Sequence, residues 1–171
     1  MTSILLAVVG VGVIMVFLVL SAFFSSSETA IFSLSVSWIE DQAATGDQRA
    51  VVLESLRDDP HRLLVTLLVG NNVVNVAISS IATVILASYV RAGVAVFATT
   101  IIVSVVVLVF GEIVPKSIGL GNATSWALVV ARPIRLFERG LGPIVTVMDG
   151  VTRRIGRRLS GEMHIEEPLL E

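Results

Sequence analysis

Three stretches of this chain set what it can fold into: residues 4–24, residues 63–90, and the charge-free run from Val94 to Phe110. A helix rises 1.5 Å per residue, so about 20 apolar residues cross the roughly 30 Å hydrocarbon layer of a bilayer. Lipid offers backbone groups no hydrogen-bond partner, and a span of this kind satisfies every N–H and C=O internally only as a helix. The chain as a whole agrees: 54% of its 171 residues are hydrophobic, 15% are charged, and mean hydropathy is +0.90, well outside soluble composition. A secretory signal fails as a reading of the first run, which has no basic leader, is too long, and is followed by polar and then apolar sequence rather than a small-residue cleavage site. The expected fold class is all-α integral membrane, with three transmembrane helices per subunit plus juxtamembrane amphipathic helices.

Each span carries a polar insert. The first run gives way to Ser25-Ser26-Ser27-Glu28-Thr29-Ala30 and then resumes at Ile31, which places the insert inside a helix, with Ser25, Glu28 and Thr29 on one face. The second contains Gly70-Asn71-Asn72-Val73-Val74-Asn75; Asn71 and Asn75 are four apart, Asn72 and Asn75 three apart, so at least two amides project to one side. Unpaired amides in hydrocarbon cost several kcal/mol. They serve either as ion ligands or as helix-to-helix bonds worth about 0.6 to 2 kcal/mol each. The third run ends in Gly111-Glu112-Ile113-Val114-Pro115-Lys116. A carboxylate and an ammonium there point to a functional site. Pro115 lacks an N–H and pushes away the carbonyl of Gly111, which with Glu112 makes a pair of hard oxygen ligands. The plainer alternative is a simple kink with a Glu112–Lys116 ion pair.

Other chemistry is narrowed by what is missing. The sequence has no cysteine, and its two histidines, His61 and His164, lie outside the apolar runs. Thiolate, zinc, haem and Ser-His chemistry within the bilayer are thereby disfavoured, leaving oxygen donors that suit magnesium, calcium, sodium or protons. An intramembrane protease would need a histidine or a second aspartate in the spans, so no enzyme is expected. A net charge of −2 argues for neither nucleic acid nor an acidic substrate.

Residues 1–121 form the three-span core. Trp38 is an interfacial anchor, and in the connecting loop 39–60 Asp47 caps a short helix carrying Val51, Val52, Leu53 and Leu56, while Asp59-Pro60 starts the next span. Residues 122–160 read as an amphipathic belt, with a helix capped by Thr124 or Ser125, interrupted at Arg132-Pro133, and a second from about Leu141 with Leu141, Ile144, Val145, Met148, Val151 and Ile155 on one stripe. Residues 161–171 are the acidic, truncated start of a cytoplasmic region.

Arg and Lys fall zero before the first span, three between the first and second, one between the second and third, and eight from Lys116 onward. Cationic loops stay cytoplasmic, which places the N-terminus outside and the C-terminus inside a multi-pass cell-membrane protein. Counting rise per residue, all three inserts then reach the inner half of the bilayer, where they can face one another. The cation ligands expected are Glu112, the Gly111 carbonyl, Ser25 and an amide oxygen of Asn72 or Asn75, with Ser27, Glu28 and Asn71 as supports or alternates. Glu28 and Lys116 can pair across helices.

At these three motifs the sequence resembles the CorC and cyclin M family of magnesium transporters, from the first span to about Gly161. The resemblance implies a homodimer that exports Mg2+ from the cytoplasm with Na+ as driving ion, the motif residues lining the ion site. It also implies a continuation into a cytoplasmic paired CBS module that binds ATP, absent from this stretch. Ser26 stands where one version of the family has glycine, which leaves the ligand positions intact. A membrane anchor or regulatory subunit, its polar motifs only holding helices and partners together, is the competing function.

Overall fold

In the computed structural model, which describes residues 2–161, the chain is an all-α integral membrane domain with no strand among the described residues. Its first helix, α1 (Thr2–Ser33), runs unbroken through the serine insert. Ending a helix there would strand backbone groups in lipid. Instead Ser26, Ser27 and Thr29 turn their hydroxyls onto carbonyls three or four residues back.

Two short helices follow. One, α2 (Val36–Ala44), is capped by Ser35, whose Oγ accepts the Trp38 N–H, and was not foreseen from sequence. The next, α3 (Gln48–Arg57), is capped by Asp47, which accepts the Arg49 N–H at 2.8 Å. The Arg49 guanidinium also bonds the Asp47 carboxylate, holding it below its ordinary pKa. Asp59 then accepts the Arg62 N–H at 3.1 Å and Pro60 opens α4 (Pro60–Ala87), the second helix able to span.

The third crossing, Ala92–Gly121, is composite. It comprises α5 (Ala92–Val106), a π-helical segment (Val107–Ile113) and α6 (Val114–Gly121). Sequence led us to expect the disturbance at Pro115. It is absorbed one turn earlier: the Val114 N–H reaches five residues back to the Val109 carbonyl, so Pro115 stands at the start of a fresh α-helical stretch, where a missing N–H costs little. The change of register falls on the carbonyls of Phe110 and Gly111.

Beyond Gly121 the belt differs from expectation. The helix α7 (Ala123–Gly140) begins after Asn122 without a side-chain cap and continues through Pro133 instead of breaking there. Its inward face of Ala127, Val130, Ala131 and Ile134 packs on Leu53 and Leu56 of α3, while Pro133 and Val129, whose carbonyl the proline frees, are both exposed. A last helix, α8 (Gly142–Gly161), buries Val145 and leaves Ile144, Met148 and Val151 exposed. The acidic stretch from Glu162 on, including His164, lies outside the described residues, as does the side chain of Ile155.

Close contacts fix α1 against its neighbours. The tip of the Phe24 ring rests on Gly70, where a Cβ would fall 2.6 Å from Cζ. Gly119 brings α6 so near α1 that a Cβ would overlap the Ser26 carbonyl. Arg62 and Glu138, 2.8 Å apart, tie the base of α4 to α7. Together these set the depth at which the polar inserts meet.

Candidate metal centre

The inserts converge on a residue that sequence alone passed over. Ser21 is fully buried, and its Oγ lies 2.9 Å from Asn71 Oδ1 and 2.8 Å from Asn75 Oδ1. The third crossing closes on the same point: a Cβ on Gly111 would lie 2.7 Å from Ser21 Oγ. A serine hydroxyl has one proton to donate. With both amides turned this way, only one of the two oxygens can take that proton and the other faces oxygen without a hydrogen between, an imbalance that a cation corrects and that a turned amide would correct by donating an N–H instead.

Ser25, one turn along the same face of α1, is 1% exposed, and among the described residues its Oγ has no hydrogen-bond partner. Buried hydroxyls are rarely left so. Glu112 is half-buried and likewise has no hydrogen bond or ion pair among the described residues. It lines a cavity of about 330 Å3 together with Asn75, Ser79, Ser104 and Val107. A buried hydroxyl without a partner, an acceptor-rich cluster and a partly exposed carboxylate thus stand within one region of the α1, α4 and π-segment junction.

The remaining sequence-predicted residues lie around this core or apart from it. Lys116 Nζ is 3.3 Å from Glu28 Oε2, so the pair forms between helices and not between Glu112 and Lys116. Ser27 is buried but donates to the Phe23 carbonyl at 2.6 Å. Asn72 is exposed, and its Nδ2 donates to the Leu68 carbonyl at 2.9 Å, so it stands off the Ser21 cluster while Asn71 and Asn75 join it. Ser21 could have been found from its spacing, since it precedes Ser25 by one i,i+4 step. A larger cavity of about 560 Å3 between α1, α6 and α7, lined by Phe23, Pro115 and Trp126 among others, is almost wholly apolar and offers a cation little.

No group of three His, Cys, Asp or Glu that could hold a metal occurs among the described residues. The donors brought together are hydroxyl, amide and a single carboxylate, all hard oxygens, a set matched to magnesium, calcium or sodium and poorly to zinc or copper. One carboxylate leaves a bound divalent ion with uncancelled charge.

Comparison with known proteins agrees in extent and character. The model of the cyclin M transmembrane N-terminal domain matches residues 12–171. A DUF21 domain-containing chloroplastic protein of Arabidopsis thaliana is 34% identical over 93% of this chain and 25% of its own length. A UPF0053 protein of Haemophilus influenzae is 34% identical over 84% of the chain and 34% of its own length. The UPF0053 inner membrane protein YfjD of Escherichia coli is 33% identical over 82% and 32% respectively. The chain therefore spans about a quarter to a third of the length of these relatives.

Proposed function

The chain belongs to the cyclin M transmembrane family, and from that premise we propose that it is the ion-carrying core of a magnesium exporter, working as a homodimer and coupled to Na+ uptake. The observation that carries the reading is the gathering of acceptors at Ser21, Asn71 and Asn75 beside a buried, partnerless Ser25 and the cavity-lining carboxylate of Glu112. Mg2+ is the cargo. Stripped of part of its water, it is held by Asn71 and Asn75 oxygens, by Ser21 or Ser25, and by Glu112, with the Gly111 carbonyl at the edge of the register change. Glu28 and Lys116 neutralise one another on the cytoplasmic side of the site. The distribution of Arg and Lys supports an outside N-terminus, and with it movement from the inner half of the bilayer outward.

Equilibrium binding of Mg2+ to purified protein, with and without Na+, tests this. Wild type is expected to bind, with Na+ competing, and Glu112→Ala to weaken binding on the order of 100-fold, at the upper end of what even an indirect metal contact contributes. Asn72→Ala, off the cluster, should change it little. The dimer is tested separately: the exposed Asn72, Val73 and Val76 form an outward face of α4 that a second subunit would cover, and cross-linking in membranes should trap dimers.

The anchor reading has one observation in its favour, because Gly70 and Gly119 are explained by close helix packing alone. If Glu112→Ala left Mg2+ binding and flux unchanged while dimer yield fell, that reading would replace ours.

A further inference from the structure

The seam between α4 and α5 is polar well beyond the cation cluster, and the cluster does not account for it. Asn75, Ser79 and Thr83 follow at intervals of four on α4 and share one face. Against them α5 sets Thr99 and Ser104. Thr83 Oγ1 and Thr99 Oγ1 are 2.9 Å apart, and one turn nearer the cluster Ser79 and Ser104 line the same cavity as Asn75 and Glu112. Ser79 donates to the Asn75 carbonyl at 3.1 Å, Thr83 to the Ser79 carbonyl at 2.7 Å, and Thr99 to the Ala95 carbonyl at 2.7 Å. A hydroxyl whose proton is spent on its own helix shows its neighbours only lone pairs. At Ser79, Thr83 and Thr99 the seam is thus faced with acceptors, which a cation can follow and an anion cannot.

We propose that this seam is the outward half of the cation's path, with the Ser79–Ser104 cavity as its vestibule and the Thr83–Thr99 contact as its outer closure. The inference rests on the exporter reading above and adds the route. From Asn75 to Thr83 is about 12 Å along the helix, which leaves one turn to the end of α4 at Ala87. The closure has two arrangements, the bridged one favoured while the helices touch and the other once they part. Both threonine protons can rest on carbonyls of their own helices, or one can be given across the seam to make the bridge, and in neither is a donor left unmet. Parting the helices there costs one shared hydrogen bond.

Because the chain contains no cysteine, single thiols can be placed without background. Ser104→Cys and Ser79→Cys, exposed but lining the cavity, serve as probes, and Val105→Cys, 57% exposed and outside that lining, as the lipid-facing reference. Each is reconstituted in sealed vesicles of determined sidedness, checked for Mg2+ binding, and treated with a membrane-impermeant cationic methanethiosulfonate. From the side of the α4–α5 connection, both probes should react and Val105→Cys should not. Mg2+ should slow the reaction, and adding Thr99→Val should speed it about tenfold, the scale of one hydrogen bond. Reaction of both probes only from the opposite side, or of neither, with Mg2+ binding intact, overturns the route and leaves the cation site standing. If Thr99→Val lowers thermal stability without changing the reaction rate, the threonine pair is ordinary helix bonding and the closure is refuted. Failure of the unsubstituted chain to bind Mg2+ overturns the exporter reading, and the route with it.

Discussion

Between α3 and α7 the buried side chains, Leu53, Leu56, Ala127, Val130, Ala131 and Ile134 among them, are apolar, whereas α1 buries Ser21, Ser25, Ser26 and Ser27 beside Phe24, Ala30 and Ile31 while its Val16 and Val19 are more than half exposed. The first core follows the rule of water, where removing apolar surface drives assembly. The second cannot, because lipid tails are as apolar as valine and nothing is gained by hiding one in the other. Its helices are held by small residues that let backbones touch and by polar groups that find one another. The consequence reaches function: the packing that suits a bilayer also gathers unmet oxygens in one place.

The sharpest way to break the contrast is to add one carbon where the membrane core is tightest. Gly119→Ala places a methyl onto the Ser26 carbonyl, where backbone and not a movable side chain is in the way, so α1 and α6 must part. Overpacking of this kind costs about 1 to 3 kcal/mol and occasionally more. With backbone as the obstacle the expectation is the upper end, visible as loss of monodisperse protein and of thermal stability in detergent, while Gly121→Ala, with nothing within 4 Å, should be silent. Equal effects from the two glycines would mean that close approach does not hold this core. Of comparable size is a change in the water-type core. Ile134→Ala removes a fully buried side chain and should cost about 2 to 5 kcal/mol, read by the same melting experiment, yet leave the Mg2+ affinity of the folded fraction unaltered.

Much of the frame was legible in the sequence because it depends on local chemistry or on length. Asp47 and Asp59 cap their helices as their types and neighbours require, and counting 1.5 Å per residue is enough to bring Glu28 opposite Lys116. What was not legible depends on how one helix is rotated against another. Asn71, Asn72 and Asn75 are equivalent as amides, and the packing of α4 on α1, the contact of Phe24 with Gly70 included, turns two of them towards Ser21 and the third away. The π segment was hidden for a related reason, since a proline demands that one hydrogen bond be missing without saying which turn will absorb it. The continuity of α7 through Pro133 was hidden too, because the packing of Val130 and Ile134 on α3 outweighs the break that local propensity favours.

Ser21→Ala should have the smallest effect on stability and so divides the two cores most cleanly. It removes the hydroxyl between Asn71 and Asn75, a bond of the class worth about 0.6 to 2 kcal/mol within a membrane. Part of that loss is returned, because one proton never satisfied both amide oxygens, and the melting temperature should fall less than in Ile134→Ala. Mg2+ affinity should behave in the opposite way. With the hydroxyl gone, the amide oxygens lose the group that holds them side by side, and binding is expected to weaken by about 10- to 100-fold, as when a supporting partner of a metal ligand is lost. A protein that melts as Ile134→Ala does but binds Mg2+ like wild type would show that Ser21 only packs helices, and would remove the central member of the oxygen cluster.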